Sequence, residues 1–232
     1  MQGRFSFFFC TFAVQIDFKH AGFTASGISQ ENQKVTNFKN LGKLNYKDLL
    51  SRTLFILSSP SKAWEQISAE GDGKTVLPGF VYPLIGLCSI SEFIGTFFGK
   101  EFIPDVFQVA LTRCCAVAVA LFGGFFLSVY LIDKMLRKWF GTSVAKDTVV
   151  VFVAYSMTVK FVLDILSSLL SLKLLLVILQ IYTLFVVFEG ARRYLRLSED
   201  KVTLFTLVTT VIILLCPSVI ELVFNTLSVT LR

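Results

Sequence analysis

Histidine is nearly absent from this sequence, and the absence excludes several kinds of catalytic site. His20 is the single histidine among 232 residues, and no HExxH motif or histidine cluster is present to bind zinc. A Ser–His dyad inside a membrane needs a histidine within an apolar segment, which His20 cannot supply. We therefore expect neither a zinc enzyme nor a serine hydrolase.

Other catalytic patterns are missing as well. The sequence has no GxxxxGK[ST] phosphate-binding loop, and only Asp164 lies firmly within an apolar segment, whereas an intramembrane aspartyl dyad needs two. The 5 cysteines form no CxxC pair, so they predict neither a disulfide framework nor a zinc site. The sequence predicts a protein that is not an enzyme and that holds no metal or cofactor.

Long apolar runs are what the sequence does contain. It is 54% hydrophobic, above the roughly 45–50% of soluble domains. A spanning helix needs about 20 mostly apolar residues, and such runs recur along this chain. We predict an all-α membrane protein, a five-helix transmembrane bundle over residues 76–225. The predicted spans are residues 76–99, 106–132, 148–170, 174–189 and 202–224, followed by a short tail at 226–232.

The third predicted span contains two opposite charges. Lys160 and Asp164 are four residues apart and therefore lie on one helical face. A charge at that depth costs at least about 2.5 kcal/mol, so it normally faces a bundle interior or a wet cavity. The third span is therefore the predicted centre of the bundle.

Charges in the other spans fall in the same half of the bilayer. The rise of about 1.5 Å per residue places Glu92 of span one and Arg113 of span two at one depth, about 10 Å below the surface. We predict a polar network comprising Glu92, Arg113, Lys160, Asp164 and Glu221, with Tyr155 and Ser156 lining its inner end. Two interpretations stay open: ion pairs that fix helix register, or a cavity in which Glu221 lacks a full partner and binds a cation or proton.

Basic residues flank the apolar runs, so the formal charge of +6 predicts contact with anionic lipid headgroups and not with nucleic acid. The larger set lies on one side: Lys62, Lys74, Lys134, Arg137, Lys138, Lys146, Arg192, Arg193, Arg196 and Lys201. The predicted lipid-facing members are Lys134, Arg137, Lys138, Arg192, Arg193 and Arg196. The smaller set is Lys100, Lys173 and Arg232. Because the basic side is cytoplasmic, we predict a cytoplasmic N-terminus and an external C-terminus.

Residues 1–44 differ from the rest of the chain. Phe5 to Val14 is an apolar run that is too short to span and is similar to the apolar region of a signal peptide. The segment is a signal peptide, a poorly ordered cytosolic tail, or translated sequence upstream of the real start. We favour the last two, because the helical pattern begins abruptly at Asn45.

Residues 45–75 carry two short helical patterns. From Asn45 to Ser58, leucines recur at helical spacing between charges, which predicts an amphipathic helix on the membrane surface or on the cytosolic ends of the spans. Pro60 suits the first position of a second helix, with Ser59 as its cap. Trp64 in that helix is expected at the level of the lipid headgroups.

Several short stretches occur in an order that resembles a known family. They are Leu-Ser-Ser-Pro-Ser-Lys-Ala-Trp-Glu-Gln-Ile at 57–67, Pro83-Leu84, Ala154-Tyr155-Ser156, Glu189-Gly190 and Leu197-Ser198. Over about residues 46–228 the chain resembles the Yip (Ypt/Rab-interacting protein) domain family of five-span membrane proteins. Its short loops are similar to the bacterial branch, which implies a fold and an inner-membrane location but no established activity. The Asp-Leu-Tyr-Gly-Pro motif of eukaryotic members is absent, so small-GTPase binding is not carried over.

Two functions are compatible with these features. The first is a non-enzymatic membrane organiser that binds a partner protein or shapes lipid, which the interfacial helix and the basic loops favour. The second is a small transporter or channel subunit, because intramembrane charges often mark ion pathways. Against the second, five spans cannot divide into two equal inverted halves. We favour the organiser.

Overall fold

The computed structural model describes residues 46–70, 75–98, 105–142, 144–170 and 178–230, with side chains as far as residue 226. The predictions for residues 1–44, and those for Lys74, Lys100, Lys173 and Arg232, lie outside these residues. The described residues form helices: α1 Tyr46–Ser58, α2 Pro60–Glu70, a π-helical turn Leu77–Val81, α3 Tyr82–Gly95, α4 Val106–Lys138, α5 Lys146–Ser156, α6 Thr158–Leu169, α7 Tyr182–Arg193 and α8 Glu199–Thr230. The tertiary packing below is that of the unit beginning at Leu49.

Four segments of the described chain are long and apolar enough to cross a membrane. They are Leu77–Gly95, Val106–Lys138, Lys146–Leu169 and Glu199–Thr226, which correspond to the first, second, third and fifth predicted spans. The predicted fourth span begins at residues outside the description. The helix α7, Tyr182–Arg193, covers the second half of that span; it has 12 residues and so extends about 18 Å, less than the roughly 30 Å of hydrocarbon. The count of five spans stays a prediction.

The third span is the centre of the bundle. In its most apolar stretch 72% of the residues are buried, against 39%, 39% and 28% in the other three candidate spans. Sequence predicted this position from the charges of Lys160 and Asp164, because charged side chains avoid lipid. The span is not one regular helix, since a turn at Met157 separates α5 from α6.

Pro83 explains the irregular start of the first span. Pro83 has no N–H to donate to the carbonyl of Gly79 four residues earlier. The N–H of Tyr82 instead reaches back five residues to the carbonyl of Leu77, which is the π-helical pattern. The helix α3 begins at Tyr82, directly after the π-helical turn.

The helix α4 is longer than predicted. The second predicted span ended at residue 132, but α4 continues to Lys138 and carries basic residues on its last turns. Arg137 pairs with Asp133 one turn earlier, with Nη2 and Oδ1 at 3.0 Å. Such i,i+4 pairs and basic residues at a helix C-terminus both favour continued helix.

The helices α4 and α8 pack closely through small residues. Ala116, Ala120 and Gly124, spaced four residues apart, are buried in α4, and small residues on one helix face allow close approach of a neighbour. A β-carbon on Gly124 would lie 2.6 Å from the Cα of Pro217, so glycine is required for this approach. The helix α8 runs through Pro217 without interruption.

The bundle has two chemically different ends. Where α4 ends, α5 begins, α7 ends and α8 begins, the residues are rich in lysine and arginine; we call this the basic end. There Lys201 Nζ donates to the carbonyl of Phe140 at 3.1 Å. The other end, which we call the opposite end, is where α3 and α6 end and α4 begins. There a β-carbon on Gly95 would lie 2.1 Å from the carbonyl oxygen of Ser168.

Candidate functional site

A charged cavity lies between α3, α4, α6 and α8, towards the opposite end. Its volume is about 130 Å³. Four of the residues predicted to form a polar network line it, namely Glu92, Lys160, Asp164 and Glu221. Each comes from an apolar helix, so the tertiary packing of those helices collects their charges in one space.

Lys160 and Asp164 form the most buried ion pair of the cavity. The Lys160 side chain is 10% exposed, and its Nζ lies 3.0 Å from both carboxylate oxygens of Asp164. The pairing follows from the i,i+4 spacing on α6. A bidentate contact of this kind compensates each charge for the loss of water.

Glu92 connects α3 to two neighbouring helices. Its carboxylate lies 3.7 Å from Arg113 Nη1 on α4 and accepts a hydrogen bond of 2.7 Å from Ser168 Oγ on α6. The same hydroxyl lies 2.9 Å from the carbonyl oxygen of Asp164. The Arg113 side chain is 52% exposed, so its pair with Glu92 is at the edge of the cavity.

Glu221 is the third carboxylate of the cavity. It lies on α8 one turn after Pro217, and both residues line the cavity. Among the described residues, Glu221 is exposed and has neither a hydrogen bond nor an ion pair within contact distance. The three carboxylates therefore outnumber the two cations, Arg113 and Lys160, by one.

Tyr155 and Ser156 do not line this cavity, contrary to expectation. The Tyr155 hydroxyl accepts a 3.0 Å hydrogen bond from Arg52 Nη1, and its ring packs against Phe80 with centroids 4.8 Å apart. Ser156 is fully buried, and its hydroxyl has no partner within the described residues. Both precede the turn at Met157, which separates them from the charged half of the span.

Trp64 fixes α2 to the spanning helices. Sequence placed it among lipid headgroups, but it is 1% exposed, and its indole N–H donates to the Val186 carbonyl at 2.9 Å. Its ring centroid lies 5.6 Å from that of Phe152 and 5.5 Å from that of Tyr194. Gly190 makes room for the indole, because a β-carbon there would lie 2.6 Å from it.

These contacts join the two stretches Ser-Pro-Ser-Lys-Ala-Trp and Glu-Gly, which are far apart in the sequence. A comparison with protein families matches the Yip1 domain to residues 54–220, well over half of the chain. The chain belongs to the Yip1 domain family. No curated protein and no solved structure matches it. With its several apolar helices, this Yip1 domain is a multi-pass integral membrane protein whose spans contact lipid.

In addition to Trp64, ion pairs hold α1 and α2 in place. Arg193 on α7 contacts Glu65 on α2 and also Glu189, whose Oε2 is 2.6 Å from its Nε. The hydrogen bond to Glu189 raises the pKa of the Arg193 guanidinium. On α1, Arg52 Nη1 lies 2.9 Å from Glu70 Oε2. Burial lowers the pKa of Arg52, but Tyr155 and Glu70 raise it by more, so it lies above its ordinary value.

The predicted lipid-facing basic residues of this Yip1 domain divide into three groups. Arg137, Arg192 and Arg193 form ion pairs with acidic residues of the chain. Lys134 lies over the Tyr130 ring, with Nζ 5.7 Å from its centroid. Lys138 and Arg196 have no ion pair with a described residue. Sequence identified the charges but not which ones the fold would pair.

Sequence reasoning missed the aromatic residues that surround Trp64. Phe152 was assigned only to an apolar span, and Tyr194 received no role. In the sequence, only Gly190 of the Glu189-Gly190 pair indicated this packing, because a glycine within a helix often marks a close approach by another group. Among the described residues, no group of three or more His, Cys, Asp or Glu side chains is placed to hold a metal ion.

Proposed function

We propose that this Yip1 domain protein is a non-enzymatic membrane organiser that binds a partner protein or arranges the lipid around it. The supporting observation is the cap formed by α1 and α2. This cap is held to α7 through Trp64 and Arg193, yet it presents exposed apolar and charged side chains outward. A fixed but exposed element of this kind is suited to binding.

The helix α1 has two apolar faces. Leu49 and Ile56 are buried against the bundle, whereas Leu50 and Leu54, one turn apart, are 62% and 57% exposed. Charged residues such as Arg52 lie between the faces. An exposed leucine stripe bordered by charges favours contact with the surface of the bilayer, so we infer that α1 lies in the cytoplasmic interface.

We also propose that the protein has five spans, with its N-terminus in the cytoplasm and its C-terminus outside. The helix α6 ends at the opposite end, beside Gly95, whereas α7 ends at the basic end, where Arg193 contacts Glu65. The chain between Leu169 and Arg193 must return across the bundle, which supports a fourth crossing. The lysines and arginines at the basic end support its cytoplasmic position.

Anionic lipid headgroups are the proposed partners of the unpaired cations at the basic end. Lys138 and Arg196 are exposed and form no ion pair with a described residue. Each basic residue near an anionic membrane surface contributes about 1 kcal/mol of attraction. The resemblance to bacterial members favours the inner membrane as the location.

Crosslinking and co-purification of the full chain from native membranes test the main proposal. A partner protein or a defined lipid recovered in stoichiometric amount is the expected result. Replacing Leu50 and Leu54 with serine should reduce that recovery, whereas Ser51→Ala, on the same helix, should not. Ion flux through vesicles that contain only the purified protein would contradict the proposal and favour a transporter.

The topology is tested with single cysteines in a variant that lacks the natural ones. Arg137→Cys should react with an impermeant maleimide only from the cytoplasmic side. Thr226→Cys should react only from the outside. Labelling from the reverse sides, or of both positions from one side, would overturn the proposed orientation or the odd number of spans.

A further inference from the structure

The cavity between α3, α4, α6 and α8 has more carboxylates than cations. Its volume of about 130 Å³ is large enough to hold water molecules, and its polar lining can bind them. The charged and titratable groups around Glu221 come from each neighbouring helix: Cys88 and Glu92 on α3, Arg113 on α4 through its pair with Glu92, and Lys160 and Asp164 on α6. Glu221 itself is the contribution of α8.

Both cations near the cavity, Lys160 and Arg113, are already paired with a carboxylate. The ammonium group of Lys160 donates to both carboxylate oxygens of Asp164 at 3.0 Å, so this cation is paired with Asp164. Arg113 contacts Glu92, whose other oxygen accepts the hydroxyl hydrogen of Ser168. Glu221 is therefore the carboxylate of the cavity that has no cation of its own.

The surroundings of Glu221 disfavour an isolated negative charge. Its neighbours along α8 are Ile220 and Leu222, and Leu222 is 68% exposed on a helix whose exposed face is apolar. Glu221 lies about 29 Å along α8 from Val202, still within a roughly 30 Å hydrocarbon layer. An unpaired carboxylate there is far more costly than the neutral acid.

We propose that Glu221 is a proton-binding group, and that the cavity is the water-accessible site through which its carboxyl takes up and releases that proton. A hydrated proton entering the cavity binds one carboxylate oxygen of Glu221 and leaves its water behind. Release returns the proton to water in the same space. Glu92 and Asp164 each have a cation at contact distance, Arg113 at 3.7 Å and Lys160 at 3.0 Å, whereas Glu221 has none, so the exchange is assigned to Glu221. This site is independent of whether the cap binds a partner protein.

Modification with an apolar carbodiimide, dicyclohexylcarbodiimide, tests the proposal on the full-length protein in detergent micelles. The reagent partitions into apolar surroundings and reacts with protonated carboxyl groups. Peptide mass spectrometry should find the carbodiimide adduct on Glu221. The amount of adduct should fall about tenfold for each pH unit above the pKa of this carboxyl, because the protonated fraction falls by that factor. In Glu221→Gln the adduct should be lost from that peptide.

Glu199 provides the matched control, because it lies on the same helix and is 82% exposed at the basic end. It should stay unmodified where Glu221 reacts. Absence of the adduct on Glu221 over about pH 5 to about pH 9 would overturn the proposal. Equal modification of Glu92 or Asp164 would also overturn it. Protection of Glu221 by sodium or calcium chloride, but not by choline chloride, would indicate a metal-cation site instead.

Discussion

Replacing Lys160 with methionine removes one half of the most buried ion pair in the charged cavity. The side chain of Lys160 is 10% exposed and that of Asp164 is 25% exposed. In Lys160→Met the Asp164 carboxylate keeps no cation at contact distance, and losing one partner of a buried pair costs about 3–5 kcal/mol. The double variant with Asp164→Leu strands no charge, so its free energy of unfolding should return to within about 1 kcal/mol of the original.

Arg137→Met is the matched control. Arg137 and Asp133 also form an i,i+4 pair at 3.0 Å, but the Arg137 side chain is 47% exposed. Loss of an exposed pair costs about 0–1 kcal/mol. The same range applies to Arg113→Ala, because Arg113 is 52% exposed and lies 3.7 Å from Glu92. Exposure of the cation, and not spacing in the sequence, decides between the two magnitudes for the pairs of Lys160 and Arg137.

The free energies come from unfolding in mixed lipid–detergent micelles by increasing amounts of SDS. Fluorescence of the buried Trp64 reports the transition. If Lys160→Met costs no more than Arg137→Met, burial does not govern the strength of this pair. If the double variant is as unstable as Lys160→Met alone, the loss has a cause other than a stranded Asp164 carboxylate, and the reasoning is refuted.

Three further predictions concern packing and titration. Gly190→Ala places a β-carbon 2.6 Å from the Trp64 indole and should cost about 1–3 kcal/mol in the same assay, whereas Gly86→Ala, with no atom within 4 Å, should stabilise by up to about 1 kcal/mol. Gly124→Ala meets the backbone of α8 and should also cost at least about 1–3 kcal/mol; an unchanged stability would contradict the close approach of α4 and α8. Burial raises the pKa of Tyr194, so the folded state retains this proton longer than the unfolded state. Stability relative to Tyr194→Phe should therefore be constant below about pH 10 and fall as pH rises above it, and a parallel pH dependence of the two proteins would contradict this.

Parts of the cavity could be predicted because they depend on regular helical geometry. Lys160 and Asp164 are one turn apart on any α-helix, so their pairing required no tertiary information. Glu92 and Arg113 lie at similar distances from a short connection, so antiparallel helices bring them to one depth. Tyr155 was misplaced because the turn at Met157 interrupts the regular helix and because Arg52, far away in the sequence, contacts its hydroxyl.

The position of Trp64 shows a different kind of failure. A tryptophan next to a span is normally a headgroup anchor, and nothing in the local pattern contradicts that role. Its burial depends on Gly190 and Val186 of α7, more than one hundred residues later. Long-range packing of this kind leaves no periodic signal in either segment.

By itself, the sequence determined the all-helical membrane class, the identity of the described apolar spans, the central place of the third span and the family. These properties follow from the length and polarity of contiguous segments, because a bilayer admits few ways to satisfy the backbone. Only the tertiary structure decided that Trp64 is buried, that Arg193 also contacts Glu65 of α2, and that Glu221 lacks a cation. Those outcomes depend on which faces of distant helices meet. The hydrophobic effect is not directional, so the apolar pattern of the sequence does not specify which faces those are.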